Sequence, residues 1–275
     1  MDRKHFCFSL FIIVAVLGMV VAGFCKSSKE AAGALPLERK NSILIVYDNY
    51  KVDPHLVSAW GFGCVIRTPN QKVLFDTGGD GSILLSNMEK MDIDPKEIKM
   101  VIISHIHVDH VGGLNGFLRR NDKVTVYIPA SFPESIRKKI RSYGAEYQDV
   151  KSSIQISDTM YTTGEMGTWI KEQSLVLDTQ AGIVIITGCA HPGVVNIVKK
   201  AKQLLPDKNI FLVMGGFHLG SASDSKLKSI IKNFRKLGVK KVAPSHCSGD
   251  RCRKLFKEEY QDDYIESGAG KIIVF

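Results

Sequence analysis

Residues 104–114 read SHIHVDHVGGL, and they directly follow the apolar run IKMVIIS (98–104). A continuous apolar run of this length, bounded by turn residues, predicts a buried strand. Gly112 and Gly113 then predict a close turn, so four polar side chains are delivered at the open end of a strand. In extended chain, side chains two apart share a face, so His105 and His107 can grip one ion while Asp109 and His110 turn toward a second position. Imidazole with one carboxylate suits zinc, iron or a similar divalent transition ion. A lone histidine is usually an ordinary core or surface residue. Three histidines and an aspartate within six residues are different, because four such groups cannot be buried together without a compensating ion or network.

Outward from this stretch, the chain alternates short apolar strands with amphipathic helices. SILIVYDN (42–49) predicts a first strand, and GFGCVIRT (61–68) with KVLFDTG (72–78) predicts a hairpin pair across Pro69-Asn70-Gln71. Residues 81–93 place Ile83, Leu84, Asn87, Met88 and Met91 at helical spacing, and a further strand (123–129) and helix (132–143) follow. The second half repeats the grammar: strands near 153–157, 174–178, 182–187, 211–216, 241–245 and 271–275, and helices near 192–205, 224–237 and 250–258. Two such halves predict two sheets packed on each other with helices outside.

With 275 residues, 44% of them hydrophobic and 24% charged, the chain can bury a sizeable core, which excludes disorder, a collagen-like repeat and a multi-span membrane protein. Residues 6–25 (FCFSLFIIVAVLGMVVAGFC) carry no charge and follow Arg3 and Lys4. That layout predicts a secretory signal peptide within residues 1–30, or an uncut N-terminal membrane anchor, since roughly 20 apolar residues span a bilayer. The body is then exported or membrane-anchored, with 31–40 as linker and 41–275 as one domain. Residues 1–30 hold four of the 37 basic and two of the 28 acidic residues, leaving +7 on the body. The remaining basic residues fall at helix-like spacing without interleaved aromatics, which predicts solvated helix faces and no nucleic-acid partner. Six cysteines in a chain this long make no compact disulfide framework, although the spacing permits a Cys247–Cys252 bridge in an exported body.

SHIHVDHVGGL resembles the His-x-His-x-Asp-His signature of the metallo-β-lactamase superfamily, and VLFDTGGDG (73–81) resembles the aspartate-bearing strand end that precedes it there. TGCAHPGVVNIV (187–198), MGGFHLG (214–220) and PSHCSGDRC (244–252) look like later motifs of one branch, which includes the archaeal dihydropterin-ribofuranosylaminobenzene-phosphate synthase. The resemblance covers residues 42–275. It implies an α/β (α+β) four-layer αββα sandwich with two divalent transition-metal ions, zinc before iron or manganese, at one edge between the sheets. Carried over, it makes His105 and His107 ligands of the first ion, Asp109 and His110 ligands of the second, and His246 the late histidine completing the second site. His191 is expected as the third ligand of the first site. KEQSLVL (171–177) lacks the superfamily's usual histidine, and Cys189 stands where its bridging aspartate would be, either bridging as a thiolate or not binding. Asp76 is expected to hold a ligand histidine by a hydrogen bond. His218 is expected to act as an acid or substrate contact, Asp48 and Asn49 to line the mouth, and Trp60, where many relatives carry histidine, to alter the pocket wall.

The resemblance implies a hydrolase that turns water on an ester or phosphoester, with Asp109 orienting or deprotonating it, and with a small anionic molecule as substrate. A transferase like the pterin synthase, or a non-catalytic metal-binding module, are the alternatives. The superfamily name describes a fold and does not imply β-lactam hydrolysis.

Overall fold

The computed structural model describes residues 41–275. The signal or anchor expected within 1–30 and the linker 31–40 lie outside the described residues. Among those described, no helix is long and apolar enough to cross a membrane.

Among the described residues, thirteen strands alternate with seven α-helices. In chain order they are β1 (Ser42–Asp48), β2 (Phe62–Arg67), β3 (Lys72–Phe75), α1 (Gly81–Lys90), β4 (Ile98–Ile102), α2 (Val108–Val111), α3 (Leu114–Leu118), β5 (Thr125–Pro129), α4 (Glu134–Ser142) and β6 (Glu146–Val150). The second half contains β7 (Ile154–Ser157), β8 (Met160–Thr162), β9 (Leu175–Thr179), β10 (Gly182–Thr187), α5 (Val194–Leu204), β11 (Ile210–Gly216), α6 (Asp224–Lys236), β12 (Lys241–Ser245), α7 (Asp250–Tyr260) and β13 (Ile272–Val274). They form one sheet in the order β13-β1-β2-β3-β4-β5-β6 and another in the order β12-β11-β10-β9-β8-β7.

Side-chain alternation divides the core into three slabs. On β1, Ile43 and Ile45 point between the sheets, whereas Leu44 and Val46 pack under α1, α3 and α4 with Leu84, Met88, Phe117 and Ile140. On β10, Val184 and Ile186 meet the first sheet, and Ile183 and Ile185 face α5, α6 and α7. Strands sandwiched on both faces must be apolar at every position, which is why they read as unbroken runs and not as polar–apolar alternation. Three slabs separate four layers, the expected αββα sandwich.

Helix α6 shows the local logic. Leu227, Ile230, Ile231 and Phe234 make one buried stripe at 3.6-residue spacing, and the Ser223 hydroxyl accepts from the Lys226 N–H to cap it. The sequence pattern passed over β6 (EYQDV), a largely polar edge strand, and β8, which has three residues.

Strands β3, β4 and β5 run parallel, as do β10, β11 and β12. Their carboxyl ends therefore lie along one edge of the sandwich, where loops from both sheets meet, the usual place for ligands in parallel sheets. The position of the motif loop is secured by glycine at close approach: a Cβ on Gly113 would lie 2.1 Å from the Thr77 carbonyl oxygen. With no side chain there, Gly113 donates to the Gly78 carbonyl at 3.0 Å, and Thr77 donates to the His110 carbonyl through both its N–H and its hydroxyl at 2.8 Å.

Candidate metal centre

Six side chains delivered by three strand ends, those of β4, β10 and β12, converge in two triads. The first is His105, His107 and His191; the second is Asp109, His110 and His246. In each triad the candidate ligand atoms lie within 4.8 Å of one another. His105, His110 and His246 are essentially buried. Asp109 and His110 reach their place because the chain turns into α2 immediately after His107, so two residues adjacent in sequence point toward the second triad.

The hydrogen bonds around the histidines settle which nitrogens carry protons. Asp76 accepts from the Ser104 N–H through Oδ1 and from both the Ser104 hydroxyl and His110 Nδ1 through Oδ2, each at 2.7 Å. Since the single Ser104 proton goes to the carboxylate, its oxygen accepts from His105 Nδ1 at 2.9 Å. Asn49 Oδ1 accepts from His246 Nδ1 at 2.9 Å. In the neutral rings, Nε2 of His105, His110 and His246 is therefore a bare lone pair. Asp76 thus fills the role expected of it, and it reaches a second histidine through Ser104.

Those lone pairs face one another. His110 Nε2 and His246 Nε2 are 3.3 Å apart, and Asp109 Oδ2 is 3.3 Å from the latter and 3.6 Å from the former. In the first triad, His105 Nε2 lies 3.1 Å from His107 Nδ1, and His191 Nε2 is buried with no hydrogen-bond partner. Buried acceptors that converge without a donor need a positive charge between them. This donor set fits divalent metal ions.

Electrostatics agree. Burial and the surrounding histidines hold His105 well below its ordinary pKa, and burial with His218 pushes His191 down to about 4, so the first triad offers neutral imidazoles at pH 7. Burial alone would raise Asp109, but His246 and His110 beside it pull its carboxyl below the ordinary range. Burial works against charge on His110, and Asp76 outweighs it, so that pKa is raised.

Cys189 lies between the triads, its sulfur 3.2 Å from His110 Nε2, and it also groups with His105 and with His191 and His218. His218 is exposed at the mouth with its ring centroid 4.4 Å from that of His191. Trp60, 61% exposed, packs on His246 at 4.9 Å between centroids, and Val108 at the start of α2 is 72% exposed. Asp48 is fully buried behind the mouth and receives the Ser245 hydroxyl, whereas its neighbour Asn49 contacts the ligand histidine itself. The four described cysteines are free thiols, and Cys252 is buried in the helix-side core, so the Cys247–Cys252 bridge does not form.

One residue at the centre had no signal in the sequence. Glu172 is buried and accepts from three successive N–H groups, Cys189 at 3.0 Å, Ala190 at 2.8 Å and His191 at 2.8 Å. Burial pushes its carboxyl up to about 7 against the pull of those donors. The ionised form is the one that holds the loop, because Oε1 and Oε2 each face a donor and a proton on either would oppose an N–H. The loop needs holding. Asp76, Ala190, His218 and His246 have positive φ, four of the six non-glycine residues in that region among those described, and each follows a strand that ends at the centre. Strained backbone of this kind persists where the surroundings over-determine it, and it clusters at functional sites.

The model of the metallo-beta-lactamase superfamily matches residues 64–203 of the chain. The chain is 29% identical over 249 residues to the 7,8-dihydropterin-6-methyl-4-(beta-D-ribofuranosyl)-aminobenzene-5'-phosphate synthase of Methanocaldococcus jannaschii, covering 74% of this chain and 85% of that protein. Among solved structures, Tm1679, described as a metal-dependent hydrolase of the beta-lactamase superfamily, superposes with a TM-score of 0.72 at 29% identity, covering 85% of this chain and 98% of that one. The fold protein YhfI of Bacillus subtilis superposes with a TM-score of 0.64 at 12% identity, covering 86% of this chain and 100% of that one.

Proposed function

The chain belongs to the metallo-beta-lactamase superfamily, and from that premise we propose that it is a metal-dependent hydrolase of a small anionic ester or phosphoester. The observation that carries the proposal is the pair of triads, whose lone pairs and carboxylate converge at an open strand-end edge with no donor between them. His105, His107 and His191 would hold one ion, and Asp109, His110 and His246 the other, with the Cys189 sulfur between. When bound, two divalent ions, zinc suiting this imidazole-rich set best, supply Lewis acidity and lower the pKa of water toward neutrality.

The chain's own residues do the rest. Asp109, held ionised, orients the attacking water and accepts its proton. His218 stands at the mouth on the His191 side, and hydrogen bonding to Cys247 raises its pKa, which suits it to act as the proton donor to a leaving group. Asp76 and Ser104 keep both buried histidines in the ligating tautomer. Trp60, packed on His246, gives the reacting edge an apolar wall that would limit water there. The excess positive charge of the body favours an anionic small molecule. The uncharged apolar run at residues 6–25 supports a body that is exported or held at a membrane.

A transferase is the second reading, favoured by the 29% identity to the archaeal synthase over 85% of its length. Elemental analysis of the purified protein, paired with a hydrolysis screen over phosphoesters, lactones and thioesters, tests both. Two equivalents of metal with turnover support the hydrolase, and both should vanish in His110→Ala. Two equivalents without turnover favour the transferase, and absence of tightly held metal leaves neither standing.

A further inference from the structure

The buried thiol of Cys189, between the triads, and the half-buried thiol of Cys247 meet with their sulfurs 3.3 Å apart, and the Cys247 thiol also faces the Cys189 carbonyl at 3.7 Å. They come from loops after β10 and β12, two strands separated in the sheet by β11. What lets them touch is the residue that ends β11. A Cβ on Gly216 would lie 2.7 Å from the Cys247 sulfur, 3.2 Å from the Cys189 Cα and 2.3 Å from the Gly188 carbonyl oxygen. Any side chain at 216 would fill the space over which the sulfurs approach. Neither thiol has another cysteine beside it in the described residues: Cys64 lies between the sheets, and Cys252 is buried among the outer helices.

We propose that Cys189 and Cys247 are a redox modification site, a dithiol that a hydroperoxide closes to a disulfide at the edge of the metal centre. In the reaction the two S–H bonds break, one S–S bond forms, and two electrons and two protons pass to the peroxide, whose O–O bond breaks to give two waters from hydrogen peroxide. Closure needs the sulfurs to approach from 3.3 Å to about 2.0 Å, a movement that rotation of two short side chains supplies. Its consequence is local. The Cys189 sulfur now stands 3.2 Å from the ligating nitrogen of His110, available to a metal as a thiolate; as half of a disulfide it has no charge and no ligand capacity to offer. Metal binding and oxidation therefore oppose each other, and by linkage each must weaken the other equally at equilibrium. The disulfide stands apart from the hydrolase reading, whereas its effect on metal rests on the centre binding metal at all.

The test uses the full chain, reduced, desalted and stripped with chelator, then exposed to hydrogen peroxide and digested with trypsin without reductant. The expected product is a cross-link between peptides 172–199 and 242–251, two mass units lighter than their sum and dissolved by dithiothreitol; Cys252 falls in the separate peptide 252–253. Cys247→Ser should lose the cross-link. Zinc affinity, read by competition with a chromophoric chelator, should fall about tenfold or more on oxidation, and saturating zinc should slow cross-linking. No 189–247 cross-link, a Cys247–Cys252 product in its place, or sulfur oxyacids on single cysteines overturns the modification site, whatever the enzyme's activity. A cross-link with unchanged zinc affinity overturns the opposition between disulfide and metal.

Discussion

Replacing Glu172 by Gln tests whether one buried carboxylate builds the loop that carries Cys189 and His191. The amide is the same size, so no cavity opens. It keeps one accepting oxygen, which can serve the N–H groups of Cys189 and Ala190 as Oε1 does now. Its NH2 must then face the His191 N–H, donor against donor, where Oε2 accepts at 2.8 Å. Leaving one buried N–H unsatisfied costs about 1–3 kcal/mol, and the remaining two bonds lose the added strength of a charged acceptor, so a total near 2–4 kcal/mol is expected. Ala190 sits at φ 61, a strained conformation that the three hydrogen bonds hold in place, so the loop should relax first and withdraw His191 from His105 and His107. In urea, a loss of about 2 kcal/mol moves the unfolding midpoint of the metal-free protein down by roughly 1 M at an m-value near 2 kcal/mol/M. Metal analysis on the same preparation should show the first triad's ion lost or weakened. A midpoint within about 0.2 M of wild type, together with undiminished metal, would refute the scaffold role of Glu172.

Asp76→Asn should disturb both histidines that depend on the carboxylate, lowering zinc affinity by about 10–100-fold in chelator competition; equal affinity would show that the tautomers are set elsewhere. Asp48→Asn should remove a pH dependence. Burial pushes the Asp48 carboxyl from 3.8 up to about 6, so the folded chain binds this proton more tightly than the unfolded one, and its stabilisation is complete below about pH 4 and lost as pH rises through 6. At about 1.4 kcal/mol per pKa unit, the loss comes to about 3 kcal/mol, and chelated wild-type protein should fall relative to the variant by that amount between pH 4 and 7; parallel curves would sink the assignment. Gly113→Ala should cost about 3 kcal/mol or more, because its Cβ would lie 2.1 Å from the Thr77 carbonyl while the backbone φ of −74° is ordinary. A wild-type melting temperature in that variant would mean the motif loop and the Thr77 loop are not locked together.

Much of this protein is written locally. The run before His105 reads as a strand because β4 is covered on both faces, and the stripe of α6 reads as a helix because only one face is buried. SHIHVDHVGG announces ligands because it crowds them at a strand end and supplies the glycines that let the loop press against its neighbour. The polar edge strand β6 carries no such mark, since an edge strand needs no buried alternation. Glu172 carries none either: nothing around it in KEQSLVL distinguishes it from a surface acid, and its partners lie 17 to 19 residues further along.

By itself, then, the sequence determined which chemical groups are available, the alternation of strands and helices, and the layering that follows from it. Only the tertiary structure decided that Glu172 holds the loop carrying His191, that Asn49 orients His246, and that Cys247 meets Cys189 and not Cys252 five residues away. The reason is geometric. Local patterns record which face of a segment is buried, whereas a shared ligand site depends on parallel strands ending in register, which brings together residues 58, 84 or 197 apart in the chain.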